Sequence, residues 1–158
     1  FGMIAATYKF YYEDFEPDAI QRFGKREITR EEIIAFARDY DFQPFHLDEE
    51  AAKQSLLGGL AASGWHVCAL LMRMCWDGYL HETASMGSPG IEEMRWMRPV
   101  RPGHILTIER QVLDRRRSKS RADLGLVKFR FDVFSQTEER LARMDNWYMI
   151  GVRDPEAP

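Results

Sequence analysis

The sequence contains little cysteine and no long apolar run. Only Cys68 and Cys75 are cysteines among its 158 residues. If both lie on one helix, which rises about 1.5 Å per residue, they are about 10.5 Å apart, too far for a disulfide. No stretch approaches the roughly 20 apolar residues of a membrane-spanning helix, and there is no signal-peptide pattern. We therefore expect a chain without disulfides or membrane contact, located in the cytoplasm.

An excess of one charge is also missing. The 22 Lys and Arg residues nearly balance the 25 Asp and Glu residues, and a net charge of −3 leaves no basic footprint for nucleic acid. No group of His, Cys and carboxylate residues has the spacing of metal ligands, so we expect no metal.

The length predicts one domain over residues 1–158, without internal repeats or linkers. Phe1 and Gly2 precede the first methionine and are interpreted as additions to the natural chain. We expect residues 152–158 to form a flexible tail.

Helical signals occupy the first half of the chain. Thr29 and Glu32 have the spacing of a capping box, which predicts a helix starting there. This helix should end near Tyr40, because Pro44 disfavours helical backbone at the residue before it. Asp48 can cap a short helix that continues through Ser55.

A second, longer helix is predicted from an uncharged apolar stretch. Between Leu60 and Met72 there is no charged residue, and a helix that is apolar around its circumference belongs inside a protein. The first turn of this helix is predicted at Gly59. Unpaired amides and the helix dipole favour negative charge at such a position.

The second half of the chain has the alternating pattern of strands. Apolar and polar residues alternate most clearly between Val127 and Val133. Strands are predicted at 91–97, 104–113, 127–133 and 141–150, with the run from Arg115 to Arg121 as a hairpin connection. One buried helix with sequential strands indicates an α+β fold, an antiparallel sheet wrapped around the helix. A second copy would protect the remaining sheet edge, so we expect a homodimer or a higher homo-oligomer.

The segment DFQPFH, residues 41–46, resembles the D-x-N-P-x-H signature of MaoC-like dehydratases, the (R)-specific enoyl-CoA hydratases. The resemblance continues through GGLAASGWH, residues 58–66, and IEEMRWMRPVRPG, residues 91–103. It implies the hot dog fold, in which an antiparallel sheet encloses a long helix. One position departs from the signature, because Gln43 replaces the asparagine of the family.

The resemblance implies that Asp41 and His46 share a water molecule and add it across the double bond of an enoyl-CoA. It also implies that a backbone amide at Gly59, or at the neighbouring Gly58, binds the thioester oxygen. We expect four further substrate contacts, from Gln43, Phe45, Ser63 and Trp65, and an acyl tunnel that also includes Phe42. The partner is then an acyl-CoA thioester, and no cofactor is expected beyond the coenzyme A of the substrate.

Ordinary structural roles remain open for these residues. Asp41 alone fits a helix end and His46 alone a polar loop, while Ser63 and His66 fit a packed core. The run from Arg115 to Arg121 fits either a solvated hairpin or a contact to coenzyme A phosphates.

Two other functions also remain open. A hot dog thioesterase commonly has an acidic residue on the central helix, and residues 60–72 contain none. A non-catalytic acyl-thioester binding subunit is compatible with Gln43, although such a subunit has no need of both Asp41 and His46.

Overall fold

The computed structural model describes residues 7–157, and the interpretation of Phe1 and Gly2 lies outside them. Five strands form one antiparallel sheet in the order β1-β3-β4-β5-β2. The strands are β1 (Ile20–Glu27), β2 (Ser85–Trp96), β3 (Ile105–Arg117), β4 (Leu124–Phe134) and β5 (Arg140–Gly151). This is the antiparallel arrangement expected from the sequence.

Three helices accompany the sheet: α1 (Arg30–Tyr40), α2 (Glu49–Lys53) and α3 (Gly64–Gly78). The capping box is confirmed, because Thr29 accepts from the backbone N–H of Glu32 and the Glu32 side chain accepts from that of Thr29. A 3-10 turn at Pro44–His46 follows α1. The Asp48 carboxylate caps α2 through the N–H of Ala51 at 2.8 Å.

The core lies between α3 and the inner face of the sheet. Over the first eight residues of β3 and of β4 every second residue is buried, as the alternating pattern predicts. Phe129 and Phe131 of β4 are fully buried, and Leu70, Leu71 and Met74 bury the sheet-facing side of α3. The apolar stretch before residue 72 therefore does form the central helix.

The start of α3 differs from the prediction. The helix begins at Gly64, with Ser63 as its N-cap, and the expectation that Gly59 opens it is wrong. Gly58 and Gly59 have φ angles of 67° and 157°, in the region that favours glycine and is incompatible with helix. These two glycines lie in irregular backbone that precedes the helix.

The strands also differ in extent from the prediction. β1 was not predicted, because its residues are mostly exposed and polar and its pairing with β3 is interrupted between Phe23 and Arg26. β2 starts at Ser85, six residues before the predicted start at Ile91. Its first half is rich in Ser, Gly and Pro, which are not typical of strands, so the sequence did not indicate this part.

The chain after β5 is more ordered than expected. Val152 is buried, and its N–H donates to Asp123 O at 2.9 Å. Arg153 forms an ion pair with Asp14. The prediction of a flexible tail is therefore wrong for residues 152 and 153.

Two expected absences concern cysteine and the membrane. Cys68 and Cys75 are free thiols, as predicted. Among residues 7–157, no helix has the length and apolar character required to span a bilayer.

Candidate active site

Asp41 and His46 lie side by side on the irregular segment that follows α1. Asp41 is the C-cap of α1, and His46 ends the 3-10 turn that starts at Pro44. The distance from Asp41 Oδ2 to His46 Nε2 is 3.4 Å, and the two side chains are only 14% and 7% exposed. Because proline fixes its own φ, it stiffens the segment that brings the pair together.

A backbone hydrogen bond orients the His46 ring. Nδ1 lies 2.7 Å from Ala61 O. A carbonyl oxygen only accepts, so Nδ1 must carry the hydrogen, and in the neutral ring Nε2 is then an acceptor. The ring of Phe45 packs edge-on against the imidazole at 4.6 Å between centroids. His46 therefore presents Nε2 to Asp41 in one defined orientation.

Two donors hold the Asp41 carboxylate. Ser63 Oγ donates to Oδ2 at 2.6 Å, and Gln43 Nε2 donates to Oδ1 at 2.8 Å. Burial raises the pKa of the Asp41 carboxyl, but the hydrogen bonds from Ser63 and Gln43 and the nearby His46 lower it by more, so the pKa lies below that of an ordinary aspartate. Gln43 thus braces the carboxylate despite its longer side chain.

The pair opens into a cleft of about 550 Å³, which we call the acid–histidine cleft. Asp41, Gln43, Phe45, His46 and Trp65 all line it. Its other walls come from the segment before α3, from α3 and from the chain after β2: Leu56, Leu57, Ala61, Ala62, Gly64, Val67, Trp96, Met97, Arg98, Pro99 and Val100. Most of this lining is apolar, which suits an acyl chain.

Several predicted site residues lie elsewhere. Gly58 and Gly59 line a separate depression with Arg101 and Lys53, outside the acid–histidine cleft. Phe42 is 75% exposed and is not part of the cleft wall. Ser63 is fully buried and contacts the carboxylate of Asp41, so it supports the pair from behind.

Among the cleft residues that were not predicted from the sequence, three have a defined role: Ala61, Gly64 and Trp96. Ala61 supplies the carbonyl that orients His46. Gly64 supplies the first amide of α3, and a Cβ there would lie 2.4 Å from the Trp96 ring. Trp96 also donates from Nε1 to Gly64 O at 3.0 Å. The N-cap preference of serine at Ser63 was a usable signal for the helix start, whereas a backbone carbonyl such as that of Ala61 has no sequence signal.

The remaining histidines do not join the pair. His66 is buried and stacks on Phe36 at 4.6 Å. His66 therefore lies in the packed core, the structural role left open for it, but its Nδ1 has no hydrogen-bond partner among the described residues. Desolvation lowers the pKa of His66 although the neighbouring Glu32 acts to raise it.

The basic run mostly makes local contacts at the other end of the sheet. Arg115 of β3 pairs with Val127, near the start of β4. Trp96 of the cleft pairs with Ala142 of β5, which in turn pairs with Val133, near the end of β4. Arg115 donates to the carbonyls of nearby backbone, and Arg121 forms an ion pair with Asp123. The turn itself is shorter than predicted, because residues 115–117 belong to β3.

The described residues contain no group of three or more His, Cys, Asp or Glu side chains positioned to hold a metal ion.

Comparison with known proteins gives the class first. The architecture of a five-stranded antiparallel sheet around α3 is the hot dog fold, shared with a solved MaoC-like dehydratase from Rhodospirillum rubrum. That structure is 36% identical, with a TM-score of 0.83, over 92% of this chain and 99% of that chain. The family model of the MaoC like domain matches residues 15–128. The chain therefore belongs to the MaoC-like dehydratase family.

Two further relatives are more distant. The uncharacterized protein YdeM of Bacillus subtilis is 26% identical over 131 residues, covering 82% of this chain and 90% of YdeM. The R-hydratase PhaJ1 of Pseudomonas aeruginosa is 20% identical with a TM-score of 0.67, over 94% of this chain and 93% of that one. At this identity the likeness to PhaJ1 shows the fold alone.

Proposed function

We propose that this MaoC-like protein reversibly adds water to the double bond of a trans-2-enoyl-CoA thioester. The observation that carries the proposal is the pairing of Asp41 Oδ2 with His46 Nε2 at 3.4 Å on the wall of an apolar cleft. Membership in a dehydratase family supports the reaction class.

The hydrogen-bond pattern suits activation of a water molecule. The ionised carboxylate of Asp41 and the unprotonated Nε2 of a neutral His46 are both acceptors. A water molecule between them donates one hydrogen to each and directs its oxygen lone pairs toward the cleft. As the water oxygen bonds to the β-carbon, the pair takes one proton, and it returns that proton to the α-carbon on the same face. General acid–base catalysis of this kind contributes about 10²–10⁴-fold.

The developing charge on the thioester oxygen needs a donor. The first amides of a helix have no partner within the helix, and the dipole is positive there. Gly64 is the first residue of α3 and lines the same cleft as the pair. We therefore assign to the Gly64 N–H the role that the sequence had suggested for Gly59. Losing one such donor costs about 10²–10³-fold in kcat in other enzymes.

We further propose that no cofactor or metal takes part beyond the coenzyme A of the substrate. The balance of the reaction supports this, because hydration of an enoyl thioester transfers no electrons and needs only proton transfer and oxyanion stabilisation. Activity that survives dialysis against a chelator would agree with it, and activity that returns only when a metal is added would contradict it. A cytoplasmic location stays a prediction.

A panel of trans-2-enoyl-CoA substrates of increasing chain length tests the proposal through loss of the enone absorbance. We expect wild-type activity and a loss of at least about 10²-fold in kcat for both Asp41→Asn and His46→Gln. Equal rates in wild type and both variants would contradict the assignment. The control is Asp154→Asn, an exposed aspartate close to the end of the chain.

The same assay separates the rival functions. Release of free thiol from an acyl-CoA, without hydration, would indicate a thioesterase. The only acidic residue of α3 is Asp77, at its exposed C-terminal end, so the central helix brings no carboxylate into the cleft. Binding of acyl-CoA without turnover would indicate a non-catalytic subunit.

We also propose that the protein is a homodimer. Trp65, Met72 and Trp76 are 63%, 48% and 52% exposed and, with the exposed Ala69, form one stripe along α3. β2 is an edge strand of the sheet, and its pairing groups on the outer side are free to meet another strand. A second copy would cover both features, and coverage of the stripe would begin at the cleft residue Trp65.

Sedimentation velocity tests the dimer. We expect the mass of a dimer for wild type and a shift toward monomer for Met72→Glu, because a charge would be buried without a partner. The exposed Ile20 of β1, at the opposite edge of the sheet, allows a matched control, Ile20→Glu, away from both the α3 stripe and β2. A monomeric wild type at micromolar concentration would refute the dimer.

A further inference from the structure

The orientation of His46 depends on a backbone segment that has no regular secondary structure. Nδ1 of His46 donates to Ala61 O at 2.7 Å. Ala61 lies in the segment 57–63 between α2 and α3, where neither helix nor strand hydrogen bonds hold the chain. An imidazole aimed by this carbonyl is only as well placed as the segment itself. Some other group must fix the segment.

Arg101 supplies that support from 40 or more residues away in the sequence. Its Nη1 donates to Gly59 O at 2.6 Å and to Leu60 O at 3.3 Å, and its Nη2 donates to Leu57 O. We call these three interactions the Arg101 clamp. A guanidinium has five donors in a rigid plane, so one side chain can satisfy three neighbouring carbonyls at once.

Two further hydrogen bonds hold the backbone at Arg101 and at its neighbour Val100. The N–H of Arg101 donates to Nδ1 of His104 at 3.0 Å, across the turn that contains Gly103. Next to it, Val100 O accepts the N–H of Ala62 at 2.9 Å. The turn after β2 and the segment before α3 are therefore joined by side-chain and backbone bonds on either side of Ala61.

The clamp also accounts for the two glycines that are absent from the cleft. Gly58 has a φ of 67°, and Gly59 has a φ of 157° with its carbonyl on the guanidinium. A Cβ at Gly59 would lie 3.1 Å from Arg101 Nη1. The φ angles at both positions favour glycine, and at Gly59 the absence of a side chain also leaves room for the guanidinium.

We propose that Arg101 is a positioning residue that fixes the tautomer and orientation of His46 through Ala61. It does not line the acid–histidine cleft, and it acts only through the segment it holds. This inference rests on the proposed role of His46 in hydration. Because a shift of about 1 Å in a reacting group can cost about 10²-fold in rate, losing the clamp should reduce kcat much more than it changes KM.

The variants Arg101→Ala and Arg101→Lys test the proposal, with Arg115→Ala as the matched control. Arg115 also donates to two backbone carbonyls, those of Glu13 and Phe15, but at the opposite end of the sheet. We expect a fall in kcat of about 10²-fold for Arg101→Ala and a smaller fall for Arg101→Lys, which keeps the charge but not the planar fork. We expect unchanged kcat for Arg115→Ala. Low concentrations of guanidinium chloride should restore part of the activity of Arg101→Ala and not alter the wild type.

A readout without substrate separates this inference from the proposed function. The ring ¹⁵N shifts of His46 should indicate the Nδ1–H form in the wild type and in Arg115→Ala, and a mixture of both tautomers in Arg101→Lys. An unaltered His46 ring in Arg101→Lys would overturn the clamp, whatever the activity. If the His46 ring changes in Arg101→Lys but the wild type hydrates no enoyl-CoA, the proposed function is refuted and the clamp remains supported. Equal losses of kcat in Arg101→Ala and Arg115→Ala would also overturn the positioning role.

Discussion

Replacing Ser63 by alanine should weaken the protein in a way that depends on pH. The Ser63 hydroxyl is fully buried, donates to Asp41 Oδ2 at 2.6 Å and accepts the Trp65 N–H at 3.3 Å. A hydrogen bond to a charged group contributes about 1.5–3 kcal/mol, and an N-cap about 1 kcal/mol. Water from the cleft can replace part of the first contribution. We therefore expect Ser63→Ala to lower the free energy of unfolding by about 2–3 kcal/mol at neutral pH.

The loss should become smaller in acid. The pKa of Asp41 lies below its ordinary value because the Ser63 and Gln43 hydrogen bonds and the nearby His46 outweigh the effect of burial. A lowered folded-state pKa stabilises the protein above the unfolded pKa of about 4, and this stabilisation is lost as the pH falls through the folded value. Ser63→Ala raises the pKa of Asp41 toward that of the unfolded chain. Once the pH lies below the lowered folded-state pKa of Asp41 in the wild type, only the cap contribution of about 1 kcal/mol should remain.

Urea unfolding followed by tryptophan fluorescence, at neutral pH and below about pH 4, measures both quantities. Ser135 offers a matched control, because it is also buried and accepts the backbone N–H groups of Thr137 and Glu139 at 3.3 and 3.2 Å. Ser135→Ala should cost a similar amount at every pH. The raised pKa of Asp41 in Ser63→Ala should also move the acid limb of kcat/KM to higher pH. A loss of unfolding free energy that does not depend on pH, or an acid limb that does not move, would refute the reasoning.

Substitutions at three other positions test two parts of the site and one buried histidine outside it. Gly64→Ala places a Cβ 2.4 Å from the Trp96 ring, so we expect kcat/KM for enoyl-CoA to fall by at least about 10²-fold; a rate near that of wild type would show that the cleft tolerates the methyl group. Gln43→Leu removes the donor to Asp41 Oδ1, so the acid limb of kcat/KM should move to higher pH. Gln43→Asn restores the family's asparagine and should retain most of the activity. Equal losses of activity in both variants would argue against the role of Gln43 in holding the Asp41 carboxylate. His66→Phe removes a buried imidazole whose pKa is lowered by desolvation; the stability that the neutral ring contributes in the wild type is present above about pH 6.5 and lost as the pH falls further. The variant should therefore unfold with a flatter pH dependence below about pH 6.5 in calorimetry, and identical profiles would contradict this.

Much of the architecture was predictable because its causes are local. The capping box of Thr29 and Glu32 and the proline at Pro44 act within a few residues, and they set the bounds of α1. Alternation in β3 and β4 reports directly which face is buried. β1 gave no such signal, since an exposed edge strand with an interrupted register buries few residues.

The candidate site was predictable only where neighbours in sequence are also neighbours in space. Asp41 and His46 are five residues apart, and a rigid turn between them ensures that they meet. The helix start was placed at Gly59 instead of Gly64, because the sequence between them reads as equally apolar. Positive φ angles at Gly58 and Gly59 exclude helix there.

The sequence by itself determined most of the elements, the core face of β3 and β4 and the closeness of Asp41 and His46 along the chain, because hydrophobic periodicity, capping and turn chemistry act over a few residues. Only the tertiary structure decided which groups hold that pair. Ser63 binds the carboxylate, Ala61 binds the imidazole, and Arg101 holds the segment that leads to Ala61. These contacts join residues 15 to 42 positions apart. Two of them depend on backbone carbonyls, which every residue has, and so no sequence pattern marks them.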